Sequence, residues 1–103
     1  MLPDAPFRVT EAAKKEILSA VEEYKQLKGK SATPALVWID AALNKNMFPS
    51  HIAVGLYENR SDIADALYLV DGIELGVAMS EKDFNRIKGR TIDQDDNLGL
   101  VPV

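Results

Sequence analysis

The sequence predicts an α+β domain with one long helix near the N-terminus, a mixed or antiparallel sheet, and one short helix. Three observations carry this. Ala13, Ile17, Val21 and Tyr24 recur at helical spacing, with Ala20 and Leu27 beside them. Further on, apolar runs of strand length follow one another across short polar breaks, the pattern of hairpins and not of alternating strands and helices. Between two of those runs stands Asp71-Gly72, which suits a type I′ turn because both central positions need positive φ.

Phe7-Arg8-Val9 reads as a short strand, and Thr10 as the N-cap of a helix from Glu11 to about Lys28. Glu11 sits at the positive end of the helix dipole, Lys25 and Lys28 at the negative end, and Gly29 stops the helix. Its apolar face is expected to bury Ile17, Val21 and Tyr24 against strands containing Trp38 and Val54. Pro34 opens the next element, and residues 35–39 are apolar on both faces, as in a buried strand. Residues 40–50 contain Asn44, Asn46 and Pro49 and read as an irregular loop. Residues 51–57 form a strand and 58–65 a polar loop. Residues 66–70 and 73–77 are the two arms of the hairpin around Asp71-Gly72. Ser80 then caps a short helix, with Met79 and Phe84 at staple spacing and Gly89 at its end. Two strand pieces, 91–92 and 98–101, flank an acidic turn.

Composition narrows the function. A chain of 103 residues fits a single domain spanning 1–103. At that size roughly 60–70% of the unfolded surface is buried, enough for one core. The net charge is −4, and Lys25, Lys28 and Lys30 are the only basic cluster. Nucleic acid needs a concentrated positive field, so it is not an expected partner. There is no cysteine, which excludes disulfides, thiolate metal sites and thiol nucleophiles within these residues. Residues 1–6 lack the basic start and apolar core of a signal peptide, and no apolar run reaches the length of a membrane span. The expectation is a cytoplasmic protein with no membrane partner. The sequon at Asn59-Arg60-Ser61 carries no weight without secretion.

No residue is assigned a catalytic, cofactor-binding or metal-binding role. Asp93, Asp95 and Asn97 alternate as calcium ligands do, but position six of such a loop is Leu98, Gly99 comes one place late, and no glutamate follows at twelve. A solvated turn accounts for them. His51 is the single histidine, and a site around it would need carboxylates such as Asp40 or Glu58. A structural or surface role is the simpler reading. Serines 19, 31, 50, 61 and 80 fit no nucleophile elbow. Trp38 and the tyrosines are read as core, and Gly72 and Gly76 as hairpin punctuation rather than a phosphate loop.

Phe7-Arg8-Val9-Thr10-Glu11-Ala12-Ala13 resembles the start of HesB-like domains, the A-type iron–sulfur assembly proteins. So does Asp71-Gly72-Ile73-Glu74-Leu75-Gly76-Val77, followed by Met79-Ser80 and by Ile87-Lys88-Gly89-Arg90-Thr91-Ile92-Asp93, with 98–101 resembling the last strand. The resemblance covers about two-thirds of the chain and implies a compact β-sandwich-like fold with a helix packed on one side. It also implies iron or cluster binding through three cysteines. One belongs to a loop that falls at about 40–47, where Leu43, Asn44, Lys45 and Asn46 stand instead. The other two belong to a Cys-Gly-Cys tail that these residues do not contain. No cofactor is therefore expected, because asparagine, lysine and leucine do not replace thiolates on a cluster.

The reading that follows is a HesB-like domain without cysteines, with no catalytic signature, that contacts an unidentified protein partner or a copy of itself. The alternatives are a small ligand-binding or enzymatic role using carboxylates and His51, and iron or divalent-metal binding through oxygen ligands.

Overall fold

Helix α1, Glu11–Lys28, starts where Thr10 turns from extended to helical backbone. The Thr10 hydroxyl accepts from the Ala13 N–H at 3.1 Å, and Gly29 closes the other end at φ 69°. The computed structural model describes residues 2–39, 51–97 and 99–103. Among these residues seven strands accompany α1: β1 Arg8–Val9, β2 Thr33–Ile39, β3 His51–Tyr57, β4 Leu67–Val70, β5 Ile73–Val77, β6 Thr91–Asp95 and β7 Gly99–Pro102. A 3-10 helix, Arg60–Ala66, precedes β4, and a one-turn helix α2, Glu81–Phe84, follows β5.

The strands make one sheet in the order β1-β6-β7-β3-β2-β5-β4. The pairs β1–β6 and β2–β5 are parallel and the others antiparallel. This corrects the expected sandwich with one long and one short helix. The sheet is continuous and curls until it nearly closes. The reason lies in the N-terminal segment. Its first part pairs with β4, through Leu69 N–H to Pro3 O at 2.8 Å and Ala5 N–H to Leu69 O at 2.9 Å. Its second part pairs with β6, through Arg8 N–H to Arg90 O at 3.0 Å and Thr10 N–H to Ile92 O at 2.9 Å. One segment thus occupies both edges, which are the places where unpaired backbone groups would otherwise remain.

Alternation sorts the apolar strands onto two faces. Leu36, Ile52, Val70, Leu75, Val77, Ile92 and Leu100 point inward and join Phe7, Val9, Ala13, Ile17 and Ile87 in the main core. Ala35, Leu67 and Ile63 form a second buried cluster on the other face. Ile63 belongs to the 3-10 helix, so the segment expected as a polar loop is a packing element. Gly76 allows its close approach. A Cβ there would lie 2.8 Å from Ile63 Cδ1 and 3.1 Å from Ala35 Cβ.

Several local expectations change. Only Ala13 and Ile17 of α1 are fully buried, while Val21 and Tyr24 are half-buried, because the second half of the helix reaches past its contacts with the sheet. Strand β2 starts at Thr33, and β4 starts one residue later than expected, since Ala66 ends the 3-10 helix. Strand β6 runs on through Asp93 to Asp95, so part of the expected acidic turn is ladder. Helix α2 ends at Phe84, and Gly89, at φ 75°, closes the turns after it by donating its N–H to Pro6 O at 2.7 Å. The expected loop at 40–50 lies outside the described residues. No helix among the described residues is long and apolar enough to cross a membrane.

Replacing Ile17, which has no exposed surface, by alanine is expected to cost about 2–5 kcal/mol in denaturant melts. A loss below about 0.5 kcal/mol would contradict that burial. Gly72 sits at φ 88° after Asp71 at φ 45°, so Gly72→Val should lower the melting midpoint strongly and Gly72→Asn far less, because asparagine tolerates that region.

Candidate functional site

A polar cluster forms where the N-terminal segment meets the β4–β5 turn. Arg8 Nε and Nη2 donate to Asp71 Oδ1 at 3.0 and 2.7 Å. The Val9 N–H donates to Asp71 Oδ2 at 2.9 Å, and Lys14 Nζ donates to the Asp71 carbonyl at 2.8 Å. One turn residue therefore receives β1 through its side chain and α1 through its backbone. Beside it, the Thr10 hydroxyl that caps α1 donates to Asp93 Oδ1 at 2.7 Å, and the Gln94 N–H donates to the same oxygen at 2.8 Å.

These donors set the electrostatics. The Asp71 carboxyl is held below its usual range, first by the Arg8 side chain and then by the Val9 N–H, against the opposing effect of burial. The Arg8 guanidinium is correspondingly raised. Asp93 is also lowered, by the Thr10 hydroxyl first and the Gln94 N–H second. Both carboxylates are kept ionised and already accept hydrogen bonds from the protein. Arg8 is 76% exposed at its side chain, so its ion pair with Asp71 is screened and contributes little. The Val9 N–H belongs to a buried residue, and stranding such a donor costs about 1–3 kcal/mol. The backbone contact therefore outweighs the ion pair. A cleft of about 250 Å3 lies between Asp4, Phe7, Arg8, Leu69 and Asp71. A second, of about 190 Å3, lies on the Gly89–Thr91 side of Arg8. Neither has a nucleophile and base within reach of each other. The cluster fastens β1 and α1 to the β4–β5 hairpin.

The sequence candidates are dispersed. His51 opens β3 and Glu58 follows its end, about 20 Å away along an extended chain. Asp40 lies outside the described residues, as do Ser50 and the replaced ligand-loop residues Leu43, Asn44, Lys45 and Asn46. Glu58 takes a hydrogen bond from the Tyr24 hydroxyl and lies 3.9 Å from Lys30. That contact raises the Tyr24 hydroxyl. Asp95 accepts from the Asn97 N–H at 2.8 Å, which makes it a turn-forming residue. Among the described residues no three His, Cys, Asp or Glu side chains gather to hold a metal.

Trp38 is half-buried, with the Arg86 guanidinium 5.3 Å from its ring centre. Tyr68 meets Phe84 edge-on at 5.8 Å. Ser80 caps α2 through the Asp83 N–H, and Ser61 donates to Asn59. Sequence reasoning missed the role of Asp71 because Arg8 is 63 positions away. The Asp-Gly pair announced a turn and carried no sign of what the aspartate would hold.

No family model matches this chain, and no curated protein matches its sequence. Its fold is similar to the solution NMR structure of a protein from Aquifex aeolicus determined as a structural-genomics target. The two are 17% identical, the alignment covers 100% of this chain and 95% of that one, and the TM-score is 0.61. At that identity the likeness is one of fold.

Acid should loosen the Asp71 fastening. Its carboxyl is lower in the folded chain than in the unfolded one, so its stabilisation is fully present above the ordinary carboxylate range and is lost as pH falls toward the folded value. Asp71→Asn should flatten the acid limb of a stability–pH curve. Asp71→Ala, which also strands the Val9 N–H, should cost about 1–3 kcal/mol at neutral pH. An acid limb unchanged by Asp71→Asn would locate the dependence elsewhere.

Proposed function

We propose that this chain is a cysteine-free HesB-like domain that acts as a protein-interaction module and carries no iron–sulfur cluster. The observation that carries the proposal is the role of the residues behind the resemblance. Asp71 and Gly72 form the turn that fastens the N-terminal segment. Gly76 makes room for the 3-10 helix, Ser80 caps α2, and Asp93 takes the Thr10 cap. Each is a framework residue, and none offers a soft ligand. Residues 1–103 contain no cysteine, and clusters are held mainly by thiolates. A shared framework does not carry the activity of a site built on it.

The polar chemistry supports binding over catalysis. Asp71, Asp93, Asp95, Glu58, Glu74 and Asp83 already accept hydrogen bonds from protein donors. A hard cation would have to displace them. The net charge of −4 argues against nucleic acid as the partner. A cytoplasmic location is part of the same proposal.

Anaerobic reconstitution with iron and sulfide, then desalting, tests the absence of a cluster. The expected product is colourless. A stable brown protein with stoichiometric iron and acid-labile sulfide would overturn the proposal.

A further inference from the structure

Helix α1 carries a second stripe beside the one that enters the core. Glu11, Lys15, Leu18, Glu22 and Lys25 recur at intervals of four, three, four and three, the spacing that keeps side chains along one seam of a helix. All five are exposed, and Leu18, at 44%, is among the few large apolar side chains left in solvent. Small residues, Ala12 and Ser19, border the seam. Among the described residues none of its four charges makes an ion pair within the chain.

The order along the seam is acidic, basic, apolar, acidic, basic. Two such helices laid antiparallel about a twofold axis at Leu18 bring Glu11 opposite Lys25 of the other copy and Lys15 beside Glu22 of the other copy. Each pair occurs twice, as an isologous contact requires. A parallel arrangement would set like charges side by side. The seam is neutral although the chain carries −4, so it does not favour a strongly charged partner.

We propose that this face of α1 docks a second copy of the chain, with Leu18 meeting Leu18 at the centre and the four charges setting the antiparallel register. This rests on the interaction-module reading and names the partner. From Glu11 to Lys25 the seam is about 21 Å long, a small contact of the transient class, so association in the micromolar range or weaker is expected.

The test is analytical ultracentrifugation of the full chain from about 10 μM to about 1 mM, with circular dichroism to confirm that each variant is folded. The wild-type chain should move from monomer to dimer across this range. Leu18→Glu, Lys15→Glu and Glu22→Lys alter exposed positions and should each weaken association by about tenfold or more. Mixing the Lys15→Glu and Glu22→Lys chains should restore it, because every contact between positions 15 and 22 of the mixed pair again joins opposite charges. A wild-type chain that stays monomeric, or a dimer equally strong in all variants, would overturn the proposal. The colour test is independent. A colourless monomer removes self-pairing and leaves the cluster-free reading, whereas a brown product removes that reading whatever the oligomeric state.

Discussion

The fold depends on one stretch of backbone satisfying two sheet edges. Without that stretch the remaining six strands, β6-β7-β3-β2-β5-β4, would expose a row of unpaired amide groups along β4 and another along β6. Here the first part of the N-terminal segment takes the β4 edge, and β1 takes the β6 edge. Between them Pro6 offers its carbonyl to Gly89. The segment is too short to hold itself in place by burial alone, although Phe7 and Val9 enter the core. Asp71 supplies the remaining constraint. Its side chain takes the Val9 N–H, and its carbonyl takes Lys14, so the edge segment, the first turn of α1 and the β4–β5 hairpin meet at one residue.

Closure explains why several strands are apolar on both faces. In a sandwich one face of each sheet meets water. In this chain the inward face of β2 and β5 meets α1 and the main core, and part of the outward face lies under the 3-10 helix. Leu36 and Ala35 are adjacent in sequence, both fully buried, and belong to different clusters. Leu67 and Val70 divide in the same way on β4. A polar residue at any of these positions would bury an unpaired group on one side or the other.

The same economy bears on function. A small domain that uses its aspartates, serine caps and positive-φ glycines to fasten strands keeps few of them for chemistry. Asp93 is engaged by Thr10, and Asp95 by the turn it forms. Among the described residues the four charges that flank Leu18 on the outer seam of α1 make no ion pair within the chain, and Glu22 accepts only from Gln26 on its own helix. Binding through a helix face asks for no preorganised acid, base or nucleophile.

Local signals were readable from the residues alone. Thr10 and Gly29 mark the ends of α1, Ser80 the start of α2, and Asp71-Gly72 the tight turn, because caps and positive-φ positions depend on a few neighbours and on steric limits within them. Lack of cysteine settled, without any structure, that these residues offer a cluster no thiolate. Tertiary structure decided the rest. Whether successive strands stack as two sheets or curl into one depends on which edges meet, and the deciding bonds join Pro3 and Ala5 to Leu69. The burial of Ile63, the partner of Asp71 and the partial exposure of Val21 and Tyr24 are likewise fixed by surfaces brought together from distant parts of the chain. Periodicity says which side of an element is apolar; how much of that side is covered depends on the shape of what it meets.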